Sequence, residues 1–145
     1  MTTFKVYCPD ASLVIRFLQN KGNADAPIVL LWRDWFQANH QLIVPSLFFY
    51  EVSNALFQYV RHGRMDAQPV IEAMKEVSTF HLQIYRDDIL HHQAVQLADQ
   101  LGLPATYDAH YLALSERMGA EFWTLDGKLV DKVKTKLSWV HLWEE

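Results

Sequence analysis

The chain has 145 residues, half of them hydrophobic, which is enough for one domain with a sizeable buried core. Its single cysteine excludes an internal disulfide framework, and its longest apolar runs are far too short to span a bilayer. No apolar leader stands at the start, so we expect a cytoplasmic, unexported protein. The net charge of −4 is compatible with a nucleic-acid partner but does not support one.

Hydrophobic patterning predicts strands and helices that alternate along the chain. The first half contains, in order, a strand at 4–7, a helix at 13–19 with Ser12 as N-cap, a helix at 28–38, a strand at 42–44 and a helix at 45–60. The second half contains a helix at 68–77, a strand at 81–85, a helix at 90–101, a helix at 107–118 with Thr106 as N-cap, and strands at 121–125 and 139–143. This alternation is typical of a parallel sheet with helices on both faces. With no repeat or linker in sight, we predict one α/β domain over residues 1–145.

Four acidic residues stand where a predicted strand ends or where the following helix begins: Asp10, Glu51, Asp108 and Asp126. The carboxyl ends of the strands in a parallel α/β sheet face one crevice, so residues far apart in sequence converge there. Uncompensated carboxylates repel one another, and a cluster of them therefore makes physical sense mainly as a site for a hard cation. The pattern predicts metal-dependent phosphodiester chemistry.

Each acid also has an ordinary structural explanation. Asp10 and Asp108 suit helix N-termini, where exposed backbone N–H groups favour an acid, and Asp126 with Gly127 is a common turn pair. Glu51 shares a helix face with apolar and small residues, where a salt bridge or hydrogen-bond donors would be needed to bury it. The metal hypothesis therefore depends on the coincidence of four acids at one sheet edge.

Three segments resemble the PIN-domain ribonucleases, and VapC-type toxins in particular: VYCPDAS, VPSLFFYEVSNAL and PATYDAHYLALSERMGAEFWTLDGKL. The resemblance covers essentially the whole chain and includes the order of the four acids. It implies a PIN-like three-layer α/β/α sandwich with a central, mostly parallel sheet, a Mg²⁺ or Mn²⁺ site and cleavage of single-stranded RNA. It also implies that the four acids are catalytic metal ligands and that Ser12 and Thr124 lie near the metal or its waters. A homodimer and a small antitoxin are the implied partners.

Two basic groups are candidates for contacts with RNA phosphates. Arg61 and Arg64 flank Gly63. The other group, called the lysine group below, follows Asp126 closely and consists of Lys128, Lys132, Lys134 and Lys136. The alternative for the lysine group is a solvated helix face.

Aromatic residues on the helices at 28–38 and 45–60 exceed what the core of a chain this size must hide, so we expect one face of these helices to meet another chain. They are Trp32, Trp35, Phe36, Phe48, Phe49, Phe57 and Tyr59.

Two further functions stay open. A catalytically silent PIN-like module would bind RNA or a partner, although the four intact acids argue against lost activity. A phosphoacceptor receiver domain would want two adjacent acids after the first strand and a lysine ending a late strand. Here Asp10 stands alone and Lys128 follows Asp126 within its turn. No glycine-rich phosphate loop occurs, and no two histidines are spaced four residues apart on a helix, so nucleotide-loop and zinc sites have no support.

Overall fold

The computed structural model describes residues 4–145, in which five parallel strands form one sheet. The strands are β1 (Val6–Pro9), β2 (Gln41–Pro45), β3 (Gln83–Tyr85), β4 (Glu121–Thr124) and β5 (Val140–Leu142). Their order across the sheet is β3-β2-β1-β4-β5. The chain builds outward from β1 in one direction and then resumes on its other side with β4. The point where the strand order reverses, which is where open parallel sheets bind ligands, therefore lies between β1 and β4.

The helices connect these strands and cover the sheet. They are α1 (Ala11–Asn20), α2 (Pro27–Gln37), α3 (Leu47–Arg61), α4 (Ala67–Val77), α5 (Asp88–Leu101), α6 (Tyr107–Met118) and α7 (Gly127–Val133). Helix α1 packs on α2, α3 and the central strands, while α6 contacts β1, β2 and β4 and pairs with α5. The predicted α/β/α sandwich is confirmed, with a sheet that is parallel at every described pairing. Within residues 4–145, no helix combines the length and apolar character needed to cross a membrane.

The core lies between the central strands and their covering helices, and it takes up several aromatic residues that we expected at an interface. Trp32, Trp35 and Phe48 are buried in the core of this chain, and the indole N–H of Trp32 donates to the Leu13 carbonyl at 3.2 Å. Their burial follows from the position of α1, which packs against both α2 and α3. The expectation that aromatic residues of these helices exceed what the core can hide is therefore wrong for these three residues.

Most predicted elements lie within one or two residues of their observed bounds, but the predicted cap of the first helix is wrong. Asp10, not Ser12, is the N-cap of α1, because its carboxylate accepts a hydrogen bond from the Ser12 backbone N–H at 3.0 Å. The first strand is Val6–Pro9, two residues later than predicted. Thr106 does precede α6, although its side chain makes no capping hydrogen bond. Helix α7 was not predicted as a separate element.

Candidate active site

All four predicted acids line one cavity of about 300 Å³ at the carboxyl edge of the sheet. Asp10 follows β1 and Asp126 follows β4, so these two stand on either side of the point where the strand order reverses. Glu51 lies in the second turn of α3 and Asp108 in the first turn of α6. The sheet topology therefore brings together acids that are separated by up to 116 residues in the sequence.

A hydrogen-bond network fixes the carboxylate of Asp10. One carboxylate oxygen accepts from the backbone N–H and the hydroxyl of Ser12, and the other accepts from the Thr124 hydroxyl at 2.5 Å. The two hydroxyl oxygens accept in turn from backbone N–H groups, Ser12 from Leu125 at 3.1 Å and Thr124 from Asp126 at 3.0 Å. The network joins the start of α1 to the end of β4, so Ser12 and Thr124 position Asp10.

Three of the four carboxyl groups have raised pKa values. Burial raises the pKa of Asp10 to about 6, against the opposing effect of the hydrogen bonds from Ser12 and Thr124. Burial also raises the pKa of Glu51, opposed by a hydrogen bond from the Tyr111 hydroxyl, and the negative charge of Asp108 adds to it. The pKa of Asp108 is raised by burial and then by the charge of Asp126. The cavity is thus crowded with negative charge.

No basic side chain neutralises these acids within residues 4–145, where every ion pair involves other carboxylates. The salt bridge considered for Glu51 is not found, and its partner is the hydroxyl of buried Tyr111. Asp126 accepts from the backbone N–H groups of Lys128 and Leu129, both at 3.1 Å, and so caps α7. Helix capping is therefore a structural reason for an aspartate at positions 10 and 126, in addition to any role in the cavity. The Asp108 carboxylate accepts no hydrogen bond from the described residues.

The donor set fits a hydrated divalent cation. As the side chains stand, no group of three or more His, Cys, Asp or Glu residues in the range 4–145 could hold a metal ion. Mg²⁺ keeps several of its waters and needs only one or two carboxylates from a protein, and carboxylate oxygens are the ligands that hard cations prefer. Cys8 is no candidate ligand, because burial raises the pKa of its thiol to about 12 and keeps it protonated.

The predicted RNA-binding residues lie outside the cavity lining. The lysine group lies on α7 and in the turn that follows it, directly after the Asp126 cap, and among its members Lys134 forms an ion pair with Asp131 at 3.1 Å. Arg61 is the last residue of α3, ten residues and therefore about 15 Å along the helix from Glu51. Arg64 follows in the next turn. The lysine group therefore lies on and just after the helix that begins at the cavity. Arg61 and Arg64 lie at and beyond the far end of α3.

Sequence reasoning missed Tyr111, the cavity residue that donates to Glu51. The signal was present, because Tyr111 stands three residues after Asp108 on a predicted helix and so shares a face with it. Tyr111 is buried, but its hydroxyl reaches the acid cavity.

Among known proteins, the chain is similar to ribonuclease VapC3 from Pyrobaculum aerophilum, with 32% identity over 88 residues. The chain resembles VapC-type PIN-domain ribonucleases, as predicted. The matched segment covers 57% of this chain and 64% of the VapC relative's own length. No family model matches the chain.

Solved structures extend the likeness in fold to most of the chain. The crystal structure of PAE2754 from Pyrobaculum aerophilum superimposes with a TM-score of 0.67 at 26% identity, covering 88% of this chain and 79% of the other. A toxin–antitoxin complex from Klebsiella pneumoniae contains a chain with a TM-score of 0.59 at 14% identity, covering 93% and 95% of the two chains. At that identity, the second likeness concerns the fold alone.

Proposed function

We propose that this chain is a Mg²⁺- or Mn²⁺-dependent endoribonuclease that cleaves single-stranded RNA and acts in the cytoplasm as the toxin of a toxin–antitoxin pair. The observation that carries the proposal is the cavity in which four acids meet without a basic partner among residues 4–145. A divalent cation would offset their mutual repulsion. The likeness to ribonuclease VapC3 supports RNA as the substrate.

The four acids would hold the cation, which when bound lowers the pKa of a water molecule and offsets charge on the phosphate. The protein's own contribution is positioning. Ser12 and Thr124 donate to both oxygens of Asp10 and keep its carboxylate oriented. Tyr111 holds Glu51 in the same way from α6. Asp108 is free of such bonds within the described residues, so its carboxylate can turn toward a cation without breaking an existing contact.

Asp108→Asn is the sharpest test of the catalytic assignment, because it removes a charge without removing a helix cap or a hydrogen bond of the described chain. We expect cleavage of single-stranded RNA in Mg²⁺ or Mn²⁺ to fall by at least about 100-fold, since even the groups that orient metal ligands cost 10- to 100-fold when lost. The measurement is kcat/KM on a labelled RNA. Asp99→Asn, an exposed aspartate on α5, is the matched control.

The melting temperature provides an independent readout. Metal at about 100 times its Kd should raise the free energy of unfolding of the wild type by about 2.7 kcal/mol and raise the melting temperature accordingly. Asp108→Asn should lose most of this increase. Full activity in Asp108→Asn, or cleavage by the wild type in the presence of a chelator, would contradict the metal assignment. A wild type that binds RNA but never cleaves it would be a catalytically silent module.

An antitoxin and a second copy of the chain are the proposed protein partners. The first is a proposal that starts from the fold shared with a chain of a toxin–antitoxin complex. A groove of about 780 Å³ between α3 and α4 offers apolar surface for a protein segment, with Phe57, Ile71 and Met74 in its lining. Phe57 is 50% exposed and Ile71 47% exposed, and contiguous apolar surface of this kind marks interaction sites.

A further inference from the structure

A second cleft, of about 250 Å³, lies at the same edge of the sheet as the acid cavity. Two of its lining residues, Tyr50 and Tyr107, directly precede Glu51 and Asp108 in the sequence. Successive residues of an α-helix point about 100° apart, while their Cα atoms are only about 3.8 Å apart. Each helix therefore presents an acid to the cavity and a tyrosine to the neighbouring cleft, which we call the tyrosine cleft.

The tyrosine cleft combines aromatic rings with an available cation. Tyr50 is 73% exposed and Tyr107 63% exposed, and Tyr85 at the end of β3 contributes a third ring to the lining. Arg86, the next residue, also lines the cleft and has no ion pair among residues 4–145. The nearby carboxylate of Asp87 is already occupied by two hydrogen bonds from Arg117, and so leaves Arg86 free for another anion.

Two linked contacts of a histidine pair in the lining indicate which ring nitrogens carry hydrogens when both rings are neutral. The Nδ1 atom of His110 lies 2.6 Å from the carbonyl oxygen of Thr106, which can only accept, so Nδ1 carries a hydrogen. In the neutral pair, His110 Nε2 must then accept from His91 Nδ1, which is 2.8 Å away. This arrangement leaves His91 Nε2 as an acceptor for an N–H donor. The cleft thus offers stacking surfaces, a hydrogen-bond acceptor and a guanidinium group.

We propose that the tyrosine cleft binds one nucleobase of the RNA strand beside the bond that is cut. The inference rests on the proposed ribonuclease function and adds a base-binding subsite to it. Aromatic side chains bind single-stranded nucleic acid by stacking, and a nearby arginine holds the backbone phosphate. Because Tyr50 and Tyr107 adjoin Glu51 and Asp108 in the chain, a base held there lies within a nucleotide or so of the acid cavity.

The test compares two ways of removing the same stacking contact. The substrates are a short single-stranded RNA and a series in which each position in turn lacks its base, and the measurement is kcat/KM for cleavage with Mg²⁺. In the wild type, one position should lose between about fivefold and about 100-fold when its base is removed. The double variant Tyr50→Ala/Tyr107→Ala should cleave the intact RNA more slowly than the wild type by the same factor. Removal of the base at that position should then leave the kcat/KM of the double variant unchanged.

Two control proteins separate the rings from other effects. Tyr50→Phe/Tyr107→Phe retains the rings and should retain the sensitivity to base removal. Phe4→Ala truncates an exposed aromatic residue that precedes β1, outside the cleft lining, and should also behave like the wild type.

Three results would overturn the subsite and leave the ribonuclease function standing. The first is a wild type that cleaves RNA with no sensitivity to base removal at any position. The second is an alanine pair with the same sensitivity as the wild type. The third is an alanine pair with weaker self-association in sedimentation and unchanged cleavage, which would make the cleft a contact between protein chains. A wild type that cleaves none of the RNAs would remove both proposals.

Discussion

At the scale of single residues, Asp10 serves two structural purposes with one carboxylate. It caps α1 by accepting a hydrogen bond from the Ser12 backbone N–H. Its two oxygens also accept hydrogen bonds from the hydroxyls of Ser12 and Thr124, one each. Those hydrogen bonds favour the charged form, but burial has the larger effect and raises its pKa to about 6. The folded protein therefore holds a proton on Asp10 at pH values where an unfolded chain has lost it. Metal binding would supply the positive charge that the site lacks.

Asp10→Asn should change how the free energy of unfolding depends on pH in the presence of a chelator. An acid with a raised folded pKa stabilises the protein below its unfolded pKa of about 3.8, and this contribution is lost as the pH rises through about 6. The wild type should therefore lose up to about 3 kcal/mol across this window relative to Asp10→Asn. Denaturant unfolding at pH 4 and pH 7.5 measures the difference.

The exposed aspartate of α2 provides the control, because Asp34→Asn should track the wild type at both pH values. The lost hydrogen bonds make Asp10→Asn less stable by a similar amount at every pH, so only the pH-dependent part of the difference is diagnostic. A constant difference between Asp10→Asn and the wild type would mean that Asp10 titrates normally in the fold.

The convergence of the four acids could be predicted from the sequence, but their surroundings could not. A parallel sheet places the ends of all its strands at one edge, so strand assignment alone was enough to expect Asp10 near Asp126. Which group hydrogen-bonds Glu51 depends on packing between α3 and α6, and only the structure gives Tyr111 as the donor. The structure has Asp10 as the cap of α1 where the sequence predicts Ser12, because both residue types suit that position and tertiary packing decides between them.

At the scale of the elements, α7 illustrates where local patterns fail. The pair Asp126 and Gly127 predicts a turn after β4, and a helix is expected there only as the solvated alternative to RNA contact by the lysine group. In the structure the same aspartate caps a seven-residue helix, which buries Leu129, Val130 and Val133. A helix of two turns is too short to show a clear period, so packing rather than propensity decides its existence. The helix begins next to Asp126 of the cavity lining and carries Lys128 and Lys132.

Replacing Lys128, Lys132 and Lys136 by Gln should weaken RNA binding and reduce its salt dependence. Each phosphate contact on a single strand contributes about 0.7 to the slope of log K against log salt concentration, so three contacts would reduce the slope by about 2. Fluorescence anisotropy at several salt concentrations gives the slope. Lys134 is left unchanged because it already pairs with Asp131.

The control for the lysine variant carries the same change in net charge elsewhere. Lys5, Lys21 and Lys75 all lie outside α7, and their replacement by Gln should lower affinity only through the general change in charge. If both triple variants have the same slope, the lysine group makes no phosphate contact and RNA binds along another path.

At the scale of the whole molecule, the strand order concentrates the candidate chemistry on one edge. The acid cavity and the tyrosine cleft both open there, while the apolar groove lies between α3 and α4. Tyr50 lines both the cleft and the groove. A protein segment seated in the groove would therefore reach the substrate side of the molecule. In the proposed function, a partner bound in the groove could therefore affect RNA bound at this edge.

Expression of the wild-type chain without a partner should arrest growth of a bacterial host, because an unrestrained ribonuclease depletes RNA that the cell needs. Asp108→Asn should relieve the arrest, since it removes a cavity charge without removing a hydrogen bond or ion pair of residues 4–145, whereas Asp99→Asn should leave it intact. Growth after induction is the measurement, with protein levels matched by immunoblot and cut RNAs identified by sequencing their new ends. New RNA ends should appear with the wild type and Asp99→Asn and be absent with Asp108→Asn. Arrest by all three proteins would point to toxicity from exposed apolar surface. A harmless wild type at matched levels would remove the toxin role, and the RNA-cleavage assay would then decide whether the chain is a ribonuclease.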